Sequence, residues 1–152
     1  MADLLEAGSM APDFEGRNQD GVPVRLRDLR GRSVVLYFYP HDDTAGCTRE
    51  ACAFRDDLQS FQDVGAVILG VSSQDEESHV AFRNKYGLPF DLIADPDRRI
   101  ASAFRAVAFH GLAKRVTYVI GPDGRILAAY RRLDPKSHSQ EALRILSGVR
   151  HR

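Results

Sequence analysis

Two continuous apolar runs predict buried β-strands. Residues 34–39 read Val-Val-Leu-Tyr-Phe-Tyr, and residues 66–71 read Ala-Val-Ile-Leu-Gly-Val. Runs of this length without alternation are typical of strands that are covered on both faces, as in parallel sheets. Shorter apolar or alternating segments predict further strands at residues 22–26, 90–94, 116–120 and 125–130. The pattern therefore indicates a sheet with a buried centre.

Segments with helical periodicity separate these strands. From Cys47 to about Val64, apolar residues recur at roughly helical spacing with charges between them, and Gly65 follows. Residues 72–77 offer N-cap candidates and first-turn acids for a helix that runs to about Tyr86. Further helices are predicted at residues 98–104 and from 140 to about 148, and residues 12–14 are predicted to be extended.

The order of these elements predicts the fold class. Strands that alternate with helices imply right-handed parallel crossovers with helices on both faces of the sheet. A turn at Gly121-Pro122-Asp123-Gly124 then joins the last two strands as an antiparallel hairpin. We therefore expect an α/β protein with a thioredoxin-like fold, a mixed β-sheet flanked by helices on both faces. The 152 residues contain no repeat or linker, so a single domain over 1–152 is predicted, with residues 105–114 as its least determined loop.

Charge and composition narrow the possible partners. Lys+Arg and Asp+Glu both total 21, so the formal net charge is zero. This balance offers no electrostatic attraction for a nucleic acid or an anionic membrane surface. The acidic N-terminus does not read as a secretory signal, and no stretch approaches the roughly 20 apolar residues of a membrane span. We expect a cytoplasmic protein, in which a disulfide would be transient and catalytic rather than structural.

The chain has two cysteines, Cys47 and Cys52. The predicted strand, turn and helix place Cys47 in the first helical turn, where the peptide dipoles favour the nucleophilic thiolate. Five residues of ideal helix separate two Cα atoms by roughly 8–9 Å, whereas a disulfide requires less than about 7 Å. The two sulfurs can therefore bond only if part of the helix unwinds, which suits a catalytic cycle better than a structural bridge.

Three other residues are candidates for the chemistry of this thiol. Thr44 stands three residues before Cys47, so its hydroxyl could cap the helix or face the sulfur. Arg115 opens the hairpin, and a guanidinium beside the thiol would favour the thiolate and align a polar substrate. Spacing alone does not establish that Arg115 lies near Cys47, because an arginine at the start of a strand is usually a solvated surface residue. Pro40 ends the strand and could cover the floor of a pocket.

Several nearby polar residues are expected to lie outside the chemistry. Asp42 and Asp43 are expected to face solvent, because inward carboxylates would oppose ionisation of the thiol. Glu50 could pair with an arginine or lie exposed on the helix. His41, Asp42 and the two cysteines lack the closely paired spacing of a zinc site, so no metal is predicted.

The residues Pro40, Thr44 and Cys47, read as Pro-x-x-x-Thr-x-x-Cys, resemble the peroxiredoxin active-site motif. Cys52, five residues further on, is similar to the second cysteine of the Prx-Q or bacterioferritin-comigratory-protein branch. The resemblance covers nearly the whole chain, at residues 11–14, 69–72, 85–90, 95–97 and the Arg115…Thr117 start of the hairpin. Ala45 departs from the branch, which usually has proline there, and the loop at 105–114 is shorter than in many relatives.

The resemblance implies a thiol peroxidase that serves antioxidant defence and redox homeostasis. In it Cys47 is the peroxidatic cysteine that becomes a sulfenic acid, and Cys52 resolves it as an intramolecular disulfide. Thr44 and Arg115 match the residues that bind and polarise peroxide. Thioredoxin or a similar dithiol protein is the implied reductant, no metal or organic cofactor is implied, and a monomer is expected with a dimer left open. The resemblance does not choose between hydrogen peroxide and larger hydroperoxides.

Two other functions remain open from the residues themselves. A thioredoxin-like thiol–disulfide oxidoreductase usually has two residues between its cysteines, whereas this chain has four. A non-enzymatic redox sensor would change partners when the two sulfurs bond. Steady-state peroxide consumption separates both from a peroxidase.

Overall fold

A seven-stranded mixed sheet forms the centre of the computed structural model, which describes residues 4–108, 113–131 and 134–150, with the backbone alone for residues 149 and 150. The strands are β1 Glu15–Arg17, β2 Pro23–Arg25, β3 Ser33–Phe38, β4 Ala66–Ser72, β5 Asp91–Ala94, β6 Val116–Ile120 and β7 Ile126–Tyr130. The helices are α1 Ala45–Asp56, α2 Leu58–Asp63, α3 Glu76–Tyr86, α4 Arg99–Ala103 and α5 Ser137–Arg150, with a 3-10 helix at Leu26–Leu29.

The sheet has the order β2-β1-β5-β4-β3-β6-β7. The three central strands β3, β4 and β5 are parallel. On one side β6 pairs antiparallel with β3, and β7 pairs antiparallel with β6. On the other side the short β1 pairs antiparallel with β5, and β2 pairs antiparallel with β1. This arrangement confirms the predicted mixed sheet and its late hairpin. The carboxyl end of β3 and the start of β6 meet at one edge of the sheet, because Phe38 pairs with Val116.

Alternate residues of β3 enter two separate cores. Leu36 and Phe38 pack against α4 and the N-terminal segment on one face. Tyr37 faces the other side, where it packs with buried residues of α1, α2, α3 and α5. A strand covered on both faces must be apolar throughout, which explains the unbroken run in the sequence. Helices on both faces of the sheet are thereby confirmed.

Two details differ from the sequence-based expectation. The strand β1 was not predicted, since Glu-Gly-Arg has no apolar pattern; its Gly16 is required because a Cβ there would lie 2.5 Å from Cγ2 of Ile93. The long helix predicted after Cys47 is divided at Asp57, whose φ of −95° and ψ of 8° separate α1 from α2. The division leaves both cysteines in α1.

The part of the chain that the structure describes contains no helix of the length and apolar character that a membrane crossing requires. The loop predicted to be least determined is described only in part, since residues 109–112 lie outside the described residues. On either side of them, Val107 and Ala113 form an isolated antiparallel bridge.

Candidate active site

Cys47 lies in the first turn of α1, directly above the sheet. Thr44 is the N-cap residue and has extended backbone geometry, and Cys47 is the third residue of the helix. The Cys47 side chain is buried, with 1% of its surface exposed, in the core that contains Tyr37 and Phe54. The unpaired amides of the first helical turn surround this position and favour negative charge there.

Arg115 reaches the thiol from the neighbouring strand. It directly precedes β6, so the pairing of β6 with β3 brings it to the edge of the sheet from which the chain enters α1. Its Nη2 lies 3.3 Å from the Sγ of Cys47. Gly46 leaves the room for this approach, because a Cβ at that position would lie 3.0 Å from the same nitrogen. The arrangement places a cation against the sulfur and leaves 23% of the arginine side chain exposed.

Glu50 holds the other side of the guanidinium. Its Oε1 accepts a hydrogen bond of 2.7 Å from Arg115 Nη1, and the carboxyl group is fully buried. Glu50 lies almost one turn after Cys47 on the same helix, so both face Arg115. The sequence offered pairing with an arginine as one of two possibilities, and the structure selects it. Glu50 therefore fixes the orientation of Arg115.

A buried histidine lies beyond Glu50. The Nδ1 of His138, on α5, is 3.5 Å from Glu50 Oε2 and 2.7 Å from the hydroxyl of Thr117. Burial lowers the pKa of His138 to about 4, assisted by the charge of Arg115, so the imidazole is neutral at pH 7. Glu50 Oε2 has no hydrogen-bond partner among the described residues. Burial raises the pKa of Glu50 to about 8, against the opposing pull of Arg115.

This raised pKa predicts a pH-dependent stability. The ordinary pKa of Glu50 is 4.5, so between about pH 4.5 and 8 the folded protein retains a proton that the unfolded chain releases. The Glu50 contribution to the free energy of unfolding therefore falls as pH rises through this window, by at most about 1.4 kcal/mol per pH unit. Glu50→Gln is expected to lack this contribution.

Urea unfolding at pH 5, 6, 7 and 8 measures the effect. The pH dependence of the wild type minus that of Glu50→Gln isolates this carboxyl group from others that titrate in the same range. Glu141→Gln is a matched control, because the Glu141 carboxyl group is more exposed and pairs with Arg144 on the surface of α5. Identical pH dependence in the wild type and Glu50→Gln would contradict the prediction.

The remaining candidates lie around the start of α1. The Thr44 hydroxyl donates to the carbonyl of His41 at 3.2 Å, and it makes no capping hydrogen bond to the helix. Pro40 is half-buried in the segment between β3 and α1. Cys52 is half-buried in the same unbroken helix as Cys47, and the two thiols are not bonded. In this closed helix Cys47 contacts Arg115, while Cys52 lies five residues further along α1.

The expectation that both aspartates face solvent is wrong for Asp42. Its side chain is buried and accepts hydrogen bonds from Tyr39 and Ser78, while Asp43 is exposed as expected. The left-handed backbone of Asp43, with φ of 58°, turns the two neighbouring carboxylates in different directions. Among the residues described, no group of His, Cys, Asp and Glu side chains is arranged to hold a metal ion.

Comparison with known proteins gives a consistent result. The sequence profile of the AhpC/TSA family matches residues 7–129. The chain is 40% identical to peroxiredoxin Bcp of Bacillus subtilis over 153 aligned residues, covering 95% of this chain and 97% of that protein. It is 42% identical to chloroplastic peroxiredoxin Q of Oryza sativa subsp. japonica, covering 95% and 68% of the two chains.

Solved structures agree with these sequence matches. The crystal structure of peroxidoxin BcpB from Mycobacterium tuberculosis superposes with a TM-score of 0.89 at 31% identity, covering 95% of this chain and 98% of that one. The bacterioferritin comigratory protein of Xanthomonas campestris superposes with a TM-score of 0.88 at 31% identity, covering 95% and 99%. The description of the latter structure refers to its alkyl peroxide reduction activity.

Proposed function

Because the chain belongs to the AhpC/TSA family and is similar over nearly its whole length to peroxiredoxins of the Bcp and Q type, we propose that it is a thiol peroxidase with Cys47 as the peroxidatic residue. The observation that carries the proposal is the position of Arg115, whose Nη2 lies 3.3 Å from the Cys47 sulfur at the start of α1. A thiolate with a cation and helix amides beside it is a nucleophile prepared for a polar substrate.

The reaction is a displacement at oxygen. The Cys47 thiolate attacks one peroxide oxygen, an S–O bond forms as the O–O bond breaks, and the leaving oxygen takes a proton to depart as water or an alcohol. Negative charge grows on that oxygen during bond breaking. We assign the stabilisation of this charge to Arg115, whose Nη2 lies beside the sulfur, and to the amides of the first turn of α1. Cys47 is left as a sulfenic acid, and we assign to the exposed Thr44 hydroxyl a hydrogen bond to the peroxide.

Resolution requires a change in α1. The Cys52 thiol attacks the sulfenic sulfur, an S–S bond forms, and water leaves. Since both cysteines lie in one unbroken helix, and an ideal helix holds their Cα atoms roughly 8–9 Å apart, the first turns must unwind before the sulfurs meet. A dithiol protein such as thioredoxin then returns the disulfide to two thiols by exchange.

The defining experiment follows peroxide consumption with thioredoxin, thioredoxin reductase and NADPH. A peroxidase is expected to consume peroxide and NADPH in equal amounts over many turnovers, and mass spectrometry of the oxidised protein is expected to show a Cys47–Cys52 disulfide. A redox sensor would consume about one equivalent and stop. A thiol–disulfide oxidoreductase would reduce protein disulfides such as those of insulin without peroxide. Either of the last two results would refute the proposal.

Arg115 supplies a second, more local prediction. Arg115→Ala is expected to lower the rate constant for Cys47 oxidation by about 100-fold, the usual effect of removing one donor that stabilises transition-state charge. Quenched-flow sampling with mass spectrometry measures this rate, since the chain has no tryptophan to report it by fluorescence.

Two variants control the Arg115 result. Arg115→Lys keeps the charge but loses the planar fork of donors, so an intermediate rate is expected. Arg125→Ala removes an exposed arginine of the β6–β7 hairpin turn and is expected to react like the wild type. An Arg115→Ala protein that reacts at the wild-type rate would remove Arg115 from the reaction.

A further inference from the structure

The loop between β3 and α1 is held by a buried polar cluster that the peroxidase chemistry does not use. Its centre is Asp42, of which 6% is exposed. The carboxylate accepts from the hydroxyl of Tyr39 at 2.6 Å and from that of Ser78 at 2.7 Å. It also lies 2.7 Å from Nδ1 of His79, a fully buried residue in the first turns of α3. The Asp42 amide donates to the side chain of Gln74 at 2.6 Å.

Both ring nitrogens of His79 face oxygen atoms that can accept a hydrogen bond. Its Nδ1 faces the Asp42 carboxylate and its Nε2 faces the carbonyl of Ile93 at 3.1 Å. A carbonyl oxygen can only accept, so Nε2 carries a hydrogen. Burial opposes ionisation of Asp42, but the hydrogen bonds and charge of His79, with those of Tyr39 and Ser78, hold the pKa of Asp42 below its ordinary value. The 2.7 Å contact between the Asp42 carboxylate and Nδ1 has the geometry of a second hydrogen bond donated by the ring.

We propose that Asp42 and His79 form a buried ion pair that positions the loop before α1, so that His79 is a positioning residue for the reaction at Cys47. The inference rests on the proposed peroxidase function, which it deepens. Asp42 stands two residues before the helix N-cap Thr44 and five before Cys47. Fixing Asp42 on α3 fixes the start of α1, including the amides and the Thr44 hydroxyl that the peroxide would contact.

The Asp42–His79 pair lies outside α1, and this position has a second consequence for the proposed catalytic cycle. When the first turns of α1 unwind for disulfide formation, the contacts of Asp42 with Tyr39 and with α3 need not change. The loop between β3 and α1 thus keeps its position, and α1 can refold from it once the disulfide has been reduced. An uncompensated buried charge is strongly unfavourable, so each member of the pair requires the other.

Nuclear magnetic resonance of the reduced wild-type protein tests the pair without any substitution. Both ring nitrogens of His79 are expected to show the nitrogen-15 signature of a protonated imidazole at pH 7, with assignment by loss of these signals in His79→Gln. A bare ring nitrogen would overturn the ion pair, whatever the protein does to peroxide.

Kinetics of variants test the positioning role. His79→Gln keeps a donor for Asp42 but no charge, and it is expected to lower the rate of Cys47 oxidation by peroxide about tenfold, the order of effect expected for a small misplacement of reacting groups. Alkylation of Cys47 by iodoacetamide, which does not require the peroxide-binding groups, is expected to change less than about twofold. Equal slowing of both reactions would indicate general loss of structure and overturn the positioning role.

The double variant Asp42→Asn/His79→Gln distinguishes coupling from two independent effects. Because both single changes break one pair, the double variant is expected to react no more slowly than the slower single variant. Additive losses would contradict the pair. Lys85→Gln is the matched control, since it removes the exposed partner of the adjacent Asp43, 2.7 Å away, and surface pairs contribute little.

These measurements separate the two proposals. If the wild type fails to reduce peroxide, the proposed function is refuted, while the imidazolium signature still decides whether the ion pair exists. If the wild type reduces peroxide and His79→Gln does so at the same rate, the positioning role alone is refuted.

Discussion

Replacing Cys47 by serine is expected to abolish peroxide reduction altogether. An alcohol at this position is not ionised at neutral pH, so the cation of Arg115 and the amides of the first helical turn no longer face a nucleophile. The substitution exchanges one small buried atom for another in the core beside Tyr37 and Phe54, so the fold is expected to persist. Coupled NADPH oxidation with peroxide in excess measures the loss.

The Cys47→Ser variant keeps a second thiol on α1, and this thiol serves as an internal control. The thiol of Cys52 remains in place and half-buried, but it lacks the contact with Arg115. The variant therefore shows whether any thiol on α1 suffices or whether position is required. Retention of catalysis by Cys47→Ser, with an unchanged circular dichroism spectrum, would mean that the peroxide reacts elsewhere and that the assignment of Cys47 is wrong.

Replacing Cys52 by serine is expected to leave the first reaction intact and to stop the enzyme after about one turnover. The Cys47 sulfur keeps its contact with Arg115, so oxidation to the sulfenic acid proceeds at the wild-type rate. Without the second thiol no intramolecular disulfide forms, and thioredoxin meets no disulfide to reduce. Rapid-quench measurement is expected to show one equivalent of peroxide consumed, followed by a slow or absent steady state.

A small thiol supplies the control for this variant. Dithiothreitol is expected to restore turnover to Cys52→Ser by attacking the sulfenic acid directly, and to add little to the wild type. Undiminished turnover of Cys52→Ser with thioredoxin alone would show that Cys52 is not the resolving residue.

The strands and helices whose determining residues are close together in the sequence could be predicted from the sequence alone. The buried strands β3 and β4 follow from uninterrupted apolar runs, and α3 follows from its N-cap acid Asp75 and the left-handed Gly87 behind it. The place of Cys47 in the first turn of α1 follows from the strand–turn–helix order. In each case the determining residues lie within a few positions of the element they define.

Contacts between distant residues could not be predicted in this way. Asp42 and Asp43 are adjacent and chemically alike, yet one is buried against His79 and the other lies on the surface beside Lys85. Their separation depends on a left-handed residue in a turn, where neither the helical nor the strand period applies. Likewise, Glu50 acquires its role from Arg115, which lies 65 positions away in the sequence.

In the proposed cycle, the unbroken helix α1 also determines how long the oxidised Cys47 stays open to further oxidation. While α1 stays closed, Cys52 cannot reach the sulfenic acid, and a second peroxide can convert that group to a sulfinic acid that ordinary thiols do not reverse. Each added increment of helix stability lengthens this exposure. In the proposed cycle, the stability of α1 therefore sets the balance between disulfide formation and irreversible oxidation of Cys47.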